Sequence, residues 1–494
     1  MNRRELRRGP ALLAIEPQVF DLLAHLIRHR DRVVSKDDLL ETIWQGRVVS
    51  ESALFNRINA ARKAIGDTGE RQRLIKTLPR KGLRFVGEVR EETMEALPLP
   101  DRPSIAVLPF TDMSGDPGKE YFADGISEDL VTGLARIRWL FVIARNSAFV
   151  YKHRAVDVKQ VSRELGVRYV LEGSVRRAGK RLRITAQLVD ATTGGHHWAE
   201  CYDRELGDIF ALQDEITRSV AAAIEPRLLV AEGIRALARS PEHLGAWDLV
   251  AQAQAHFWRL TRADYEAAVK PLQQAVDSYP NYAPAHGRLG FCLVFAAHMG
   301  WIASGQGMLP GREHAIRAIA LDDCDPWGHI ALAYWAMMER RTEDSIAAFR
   351  RAVLLNPSSA AAHSHLSRGF AFAGRVHEAI EHGREAIRLS PLDPEMALFL
   401  GAIAVAHYTA RRYDEAAHHT TEALRLRPGF QGAQRLRCAS LAQAGRFEEA
   451  RAFLTMVRRE QPDLSIDWVR ANVPYQTDEL MERFVEGLRM AGLR

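Results

Sequence analysis

The sequence predicts a multidomain chain: a small basic module of three helices and a hairpin, then a mixed α/β domain, then an all-α superhelix of helical repeats. Three observations predict it. At 494 residues the chain exceeds what one hydrophobic core supports, so two to four domains are expected. Prolines and small residues recur through the C-terminal half with a period near 34. Charge is also uneven: residues 1–90 hold 19 Lys/Arg against 11 Asp/Glu, a net of +8, whereas the whole chain carries only +5. A basic module on a near-neutral body implies that one part meets a polyanion.

A composition of 47% hydrophobic and 26% charged residues excludes wholesale disorder. Cys201, Cys292, Cys324 and Cys438 form no CxxC pair, which argues against a zinc site or disulfide framework and suits a reducing cytosol. The N-terminus MNRRELRRGP has no apolar core behind it, unlike a secretory signal. The most apolar stretch, 291–303, is too short for a bilayer and contains His298. A cytoplasmic, soluble protein with no membrane partner is therefore expected.

In the basic module, residues 1–90, Pro17 sits at a helix start, where its missing amide costs nothing. Phe20, Leu22, Leu23, Leu26 and Ile27 then supply an apolar stripe. Ser35 and Asp38 look like a capping box opening SKDDLLETIW. Ser50 can cap a third helix running to about Ile65, before Gly66-Asp67. Its apolar face is Leu54, Ile58, Ala61 and Ile65, at helical spacing. The opposite face carries Ser52, Asn56, Asn59 and Lys63, flanked by Arg57 and Arg62. Asparagine can bond adenine bidentately, and arginine or lysine can bond guanine, in a major groove that admits a helix. Downstream, QRLIKTLPRKGLRFVGEV reads as two strands whose tip presents Arg80 and Lys81, with Arg73 and Lys76 nearby, as in a loop lying along phosphates.

The stretches EPQVFDLLAHLIRHRDRVVSKDDLLETIW, INAARKAIGD and RLIKTLPRKGLRFVGEV together resemble the OmpR-type winged helix-turn-helix DNA-binding domain. The resemblance implies a recognition helix at about 51–65, a wing at about 78–84, and a loop at Gln45–Val49 that contacts RNA polymerase. Such domains begin with a small antiparallel sheet, and this chain starts part-way through it, so its first strand is expected to be missing.

Residues 91–103 (EETMEALPLPDRP) read as an acidic, proline-rich linker. Between 104 and 232, SIAVLPF and LFVIA suggest buried strands, and 125–135, 156–167 and 209–229 suggest helices. The stretch from Tyr169 onward supplies two or three further strands, which makes a mixed α/β layer fold. SIAVLPF, EYFADGISEDLVTGLARI and YVLEGSVRR, in that order, resemble the TolB-N-terminal/FlgO-like domain. That domain keeps company with helical repeats and sometimes with class III adenylate cyclases, but nothing here resembles a cyclase catalytic module.

From 243 to 494, Pro280, Asp323, Pro357, Pro391, Pro428 and Pro462 punctuate the chain at intervals of 43, 34, 34, 37 and 34 residues. Ala275, Ala318, Ala352, Ala386 and Ala423 lie five residues earlier, and Ala268, Gly311, Ser345, Ala379, Ala416 and Ala450 twelve earlier. Small residues at fixed places let paired helices approach, and proline ends the second helix. This pattern resembles the tetratricopeptide repeat, in six units with a capping helix at Thr477–Ala491 and a longer connection near Ile302–Pro310. The resemblance implies a concave groove for a protein or peptide.

No Walker loop, GxSxG elbow, HExxH or receiver domain is present. His196-His197 point to opposite faces of a strand, and Asp124 with Glu128 reads as a solvated helix face. No catalytic residue, metal or cofactor is therefore expected. The layout resembles one-component ToxR/CadC-type regulators without their membrane span, binding repeated promoter sites that a dimer would match. Two other readings stay open: an interaction scaffold whose basic module binds an acidic protein, and a nucleotide-handling enzyme.

Overall fold

The computed structural model describes the chain except residues 1–5, 9, 10, 14, 45–49, 90–96, 115–119, 155, 180, 206–208 and 240–243, and forms two compact units, Met1–Met94 and Glu95–Arg494. The loop at 45–49 and the first half of the expected linker thus lie outside the described residues.

In the first unit, strands β1 (Leu6–Arg8) and β2 (Ala11–Leu13) pair antiparallel. Helices α1 (Pro17–Arg28), α2 (Lys36–Trp44) and α3 (Glu51–Ile65) follow, then the hairpin of β3 (Ile75–Leu78) and β4 (Gly82–Phe85). Each helix starts where its sequence says it should. Pro17 is in the first turn of α1. Ahead of α2, the Asp38 amide donates to Ser35 Oγ at 3.0 Å and the Ser35 amide donates back to Asp38 Oδ2 at 3.3 Å, a reciprocal capping box. Ser50 Oγ accepts from the Ala53 amide at 3.3 Å, and Gly66 ends α3 in the left-handed conformation. Leu22, Leu26, Val34, Leu39, Leu54, Ile58, Ala61, Ile75, Leu83 and Phe85 make the core.

The second unit opens on a six-stranded sheet: β5 (Ser104–Val107), β6 (Thr111–Asp112), β7 (Phe141–Val142), β8 (Tyr169–Ala178), β9 (Arg181–Asp190) and β10 (Gly195–Glu205). The order is β10-β9-β8-β5-β7, with β6 beside β8; β5 runs parallel to β7 and β8, and β8, β9 and β10 are antiparallel neighbours. Interleaved are α4 (Glu120–Leu134), α5 (Arg145–Phe149) and α6 (Val158–Leu165). Asp124 and Glu128 on α4 are not merely solvated: they ion-pair with Lys152 at 2.6 Å and Arg145 at 3.4 Å.

Helix α7 (Ile209–Leu237) runs past the expected end at Leu229, with Pro226 inside it. Its first half buries Leu212, Ile216 and Val220 in the same core as α4. Its second half brings Glu232, fully buried, to the Tyr169 hydroxyl at 2.6 Å and Trp247 Nε1 at 3.2 Å. The sheet and the repeats therefore share one core rather than standing apart.

Six helix pairs follow: α8 (Ala246–Phe257) with α9 (Arg262–Ser278), α10 (Ala283–Met299) with α11 (Ser304–Leu321), α12 (Pro326–Met338) with α13 (Thr342–Leu355), α14 (Ala360–Phe372) with α15 (Val376–Leu389), α16 (Met396–Thr409) with α17 (Tyr413–Leu426), and α18 (Gln431–Gln443) with α19 (Phe447–Glu460). Two more, α20 (Ile466–Asn472) and α21 (Asp478–Met490), complete the chain. Ala268, Ala275, Ala318, Ala352, Ala379, Ala386, Ala416, Ala423 and Ala450 are all fully buried, as close helix approach demands. The extra residues of the 43-residue interval form no longer connection; they lengthen α10 and α11 to 17 and 18 residues.

The concave side differs from expectation. It is not an open groove, because distant units meet across it. Gln254 Nε2 and Trp258 Nε1, at α8 in the first helix pair, donate to Glu395 Oε1 at 3.1 and 3.3 Å. Arg427 Nε donates to Trp258 O at 2.6 Å, Trp301 Nε1 to Gln431 Oε1 at 3.1 Å, and the Phe291 ring meets His365 edge-on at 5.0 Å. Helices apolar all round, such as α16 (MALFLGAIAVAHYT), are stable only when covered on every side. The closed array covers them.

Candidate nucleic-acid interface

Helix α3 separates its residues as its periodicity requires. Leu54 is 2% exposed, Ile58 5% and Ala61 0%, against α1 and the hairpin. Ser52, Asn56, Asn59 and Lys63 are all exposed on the other side. Among the described residues, the side chains of Asn56, Asn59 and Lys63 carry no hydrogen bond, so their amide and ammonium groups are available. Ser52 Oγ lies 3.0 Å from Ser50 Oγ. Arg57 is half-buried and ion-paired with Glu16 at the start of α1.

Arg62 corrects the sequence reading. It is only 4% exposed, and its Nη2 donates to Ile75 O at 3.0 Å and Thr77 Oγ1 at 2.8 Å. It ties α3 to β3 and cannot reach an external ligand. Beside it, Asp67 accepts from the amides of Thr68, Arg73, Leu74 and Ile75, each at 2.9 Å. Burial works against the Asp67 charge, yet the four amides outweigh it and hold the carboxyl down to about 2. Arg62 and Asp67 thus fix the angle between helix and hairpin.

The hairpin presents Lys76 on β3 and Arg80 and Lys81 at its tip, all exposed, with Arg73 exposed just before it. Arg80 has φ +63° and Gly82 φ +132°. Gly82 lies so close to the residue chain before α2 that an added Cβ would sit 2.1 Å from Val34 O. That proximity allows Val34 and Leu83 to exchange backbone hydrogen bonds at 2.8 and 2.9 Å, a one-residue antiparallel bridge that ties the segment before α2 to the hairpin. Phe55 is the residue that sequence reasoning missed. It is 52% exposed on α3, one position from Asn56, with the Lys36 ammonium 6.0 Å from its ring centroid. A large apolar group displayed among amides was the available signal.

An exposed helix bearing amides, joined rigidly to a cationic hairpin, is the geometry of a duplex reader. The family described as "Transcriptional regulatory protein, C terminal" matches residues 11–85, which contain all of these elements from β2 to β4. The N-terminal module is a winged helix of the OmpR type. The winged helix precedes two matches to the tetratricopeptide repeat family, at residues 330–394 and 407–471, which fall on α12–α15 and α16–α20.

Three relatives place it further. "Putative adenylate cyclase 3" of Rhizobium meliloti (strain 1021) is 44% identical over 248 residues, covering 50% of this chain and 42% of that protein. The chain therefore spans less than half the length of that relative. "Transcriptional regulator HilA" of Salmonella typhi is 24% identical over 396 residues, covering 78% of this chain and 68% of that protein. "Transcriptional activator CadC" of Escherichia coli (strain K12) is 29% identical over 113 residues, 22% of each chain. Among the described residues, no helix is long and apolar enough to cross a membrane.

Proposed function

We propose that this chain is a sequence-specific, double-stranded-DNA-binding transcription regulator of the one-component kind, acting in the cytoplasm, with its winged helix on promoter DNA and its second unit receiving a signal or protein partner. The observation that carries this is the exposed row Ser52, Asn56, Asn59, Lys63 on a helix whose other face is anchored in the core. Asn56 and Asn59 supply base choice in the major groove, with Ser52 and Lys63 beside them. Arg73, Lys76, Arg80 and Lys81 contact phosphates, joined by Arg57 when it exchanges Glu16 for DNA. RNA polymerase engagement through residues 45–49 and dimer formation on repeated sites complete the reading. The matched family and the names of the HilA and CadC relatives support it.

The second unit acts by binding rather than by catalysis, with a TolB-N-terminal/FlgO-like sheet feeding a repeat array. Because the concave side is closed, protein partners use the outer surface of the repeats. The alignment with the relative named as a cyclase covers 42% of that protein and half of this chain, so that name alone carries no activity to this chain.

The test is a binding series over salt with promoter and random duplexes. DNA affinity should fall by decades between about 50 and 200 mM salt, with a residual preference for promoter. Asn59→Ala should lower that preference about 5- to 100-fold while changing random-DNA affinity little. An equal loss on both duplexes refutes the assignment of Asn59. Absence of any salt-dependent DNA binding favours the scaffold reading.

A further inference from the structure

Where the repeat array closes on itself, α10, α14, α16, α18 and the segment leading to α21 line a small pocket of about 30 Å³. Its lining includes His298, Arg368, Phe430, Arg435 and Tyr475. Two guanidinium groups reach it. Arg368 is 3% exposed and Arg435 2%.

The hydrogen-bond acceptors of these two arginines are neutral. Arg368 Nη2 donates to Leu398 O at 2.9 Å, and its buried Nε–H has no acceptor among the described residues. Arg435 Nη1 donates to Gln461 Oε1 at 2.8 Å, and the group lies 4.6 Å from the Trp468 ring centroid. The third buried arginine of the array, Arg288, is treated differently, since Glu395, Asp325 and Glu225 all act on it. The local field around the cavity is correspondingly positive: burial first, then Arg435 and Arg368, drive His298 down to about 3.

Arginine does not escape burial by losing its proton. Two buried guanidinium charges among Phe, Tyr and Trp rings, with no carboxylate bonded to them among the described residues, call for a counter-charge from outside the chain. The volume sets its size, since a single water-sized sphere needs roughly 10–15 Å³ on this scale. We propose that this cavity is a binding site for one monatomic halide, held by Arg368 and Arg435. The volume suits chloride better than phosphate, sulfate or organic carboxylates. The ion would lock the second repeat unit, through α10, to the last one, through α18 and the segment before α21. This inference is independent of DNA binding.

The experiment uses the full-length protein in sodium chloride, sodium bromide or sodium gluconate at matched ionic strength. The melting temperature of the second unit should rise in the halides only, by about 2 °C for each tenfold increase above the dissociation constant. Arg368→Met and Arg435→Met should each abolish that increment. Crystals soaked in bromide should show an anomalous peak between the two guanidinium groups, and this measurement on the unsubstituted protein decides the matter if either variant fails to fold. No bromide peak overturns the proposal, whichever way the melting behaves. So do equal melting temperatures in chloride and gluconate, or an undiminished halide increment in a folded Arg435→Met variant.

Discussion

Asp67 offers the sharpest quantitative test of the winged helix. Its carboxylate collects four backbone amides, each at 2.9 Å, at the corner where α3 turns toward β3. Its pKa falls from the usual 3.8 to about 2. At 1.36 kcal/mol per unit, that difference contributes about 2 kcal/mol of stability at neutral pH. The sign follows from the depressed value. The contribution is present above about pH 4 and is lost as pH falls toward 2. Asp67→Asn keeps the size but turns one oxygen into a donor that faces amides. It should lose about 2–3 kcal/mol, because the Ile75 amide is buried and cannot be rehydrated. The assay is urea denaturation of the first unit in the full-length protein, followed by near-ultraviolet signals at several pH values. Asp67→Asn should lower the midpoint at pH 7 and remove the acid-sensitive increment. An unchanged midpoint, or an increment that survives the substitution, would refute the claim that these four bonds hold the corner.

Three further outcomes follow from other positions. Gly82→Ala should destabilise the first unit by about 3 kcal/mol or more, through the Val34 contact, the positive φ and the loss of the Val34–Leu83 exchange, and an unshifted thermal transition would contradict it. Phe55→Ala should leave the melting temperature unchanged, because the ring is half-exposed, yet weaken promoter binding relative to random DNA through loss of an apolar contact to a thymine methyl; competition binding checks this. Glu395 is held above its usual 4.5, first by burial and then by Asp393, so the native second unit keeps a proton that the unfolded chain releases. Its stability should therefore fall as pH rises above about 4.5, and Glu395→Gln, which preserves the acceptor for Gln254 and Trp258, should flatten that slope in thermal unfolding from pH 5 to 8.

Much of this was legible in the sequence because it rests on local rules. The capping residues Ser35 and Ser50 bond within one helical turn, and the two faces of α3 and the columns of small residues show as regular spacings in the sequence. Arg62 was not legible. It shares the helical spacing of a flanking surface cation, and only the later arrival of the Ile75 carbonyl and Thr77 hydroxyl makes it internal. The end of α7 was misplaced because the bonds from Glu232 to Tyr169 and Trp247, which favour continuing the helix, come from residues outside it. The hydrogen bonds that close the repeats join residues 130 or more positions apart, beyond any periodicity. The apolar breadth of α16 hinted at it.

That closure changes how the second unit should come apart. A stack with two free ends behaves like a zipper and can shed its outermost member while the rest stays whole. Here the bonds from Trp258 and Trp301 to Glu395 and Gln431 latch the beginning to the end. Fraying at one terminus would then be felt at the other, so melting should be concerted, and a perturbation at either extremity becomes a message to both.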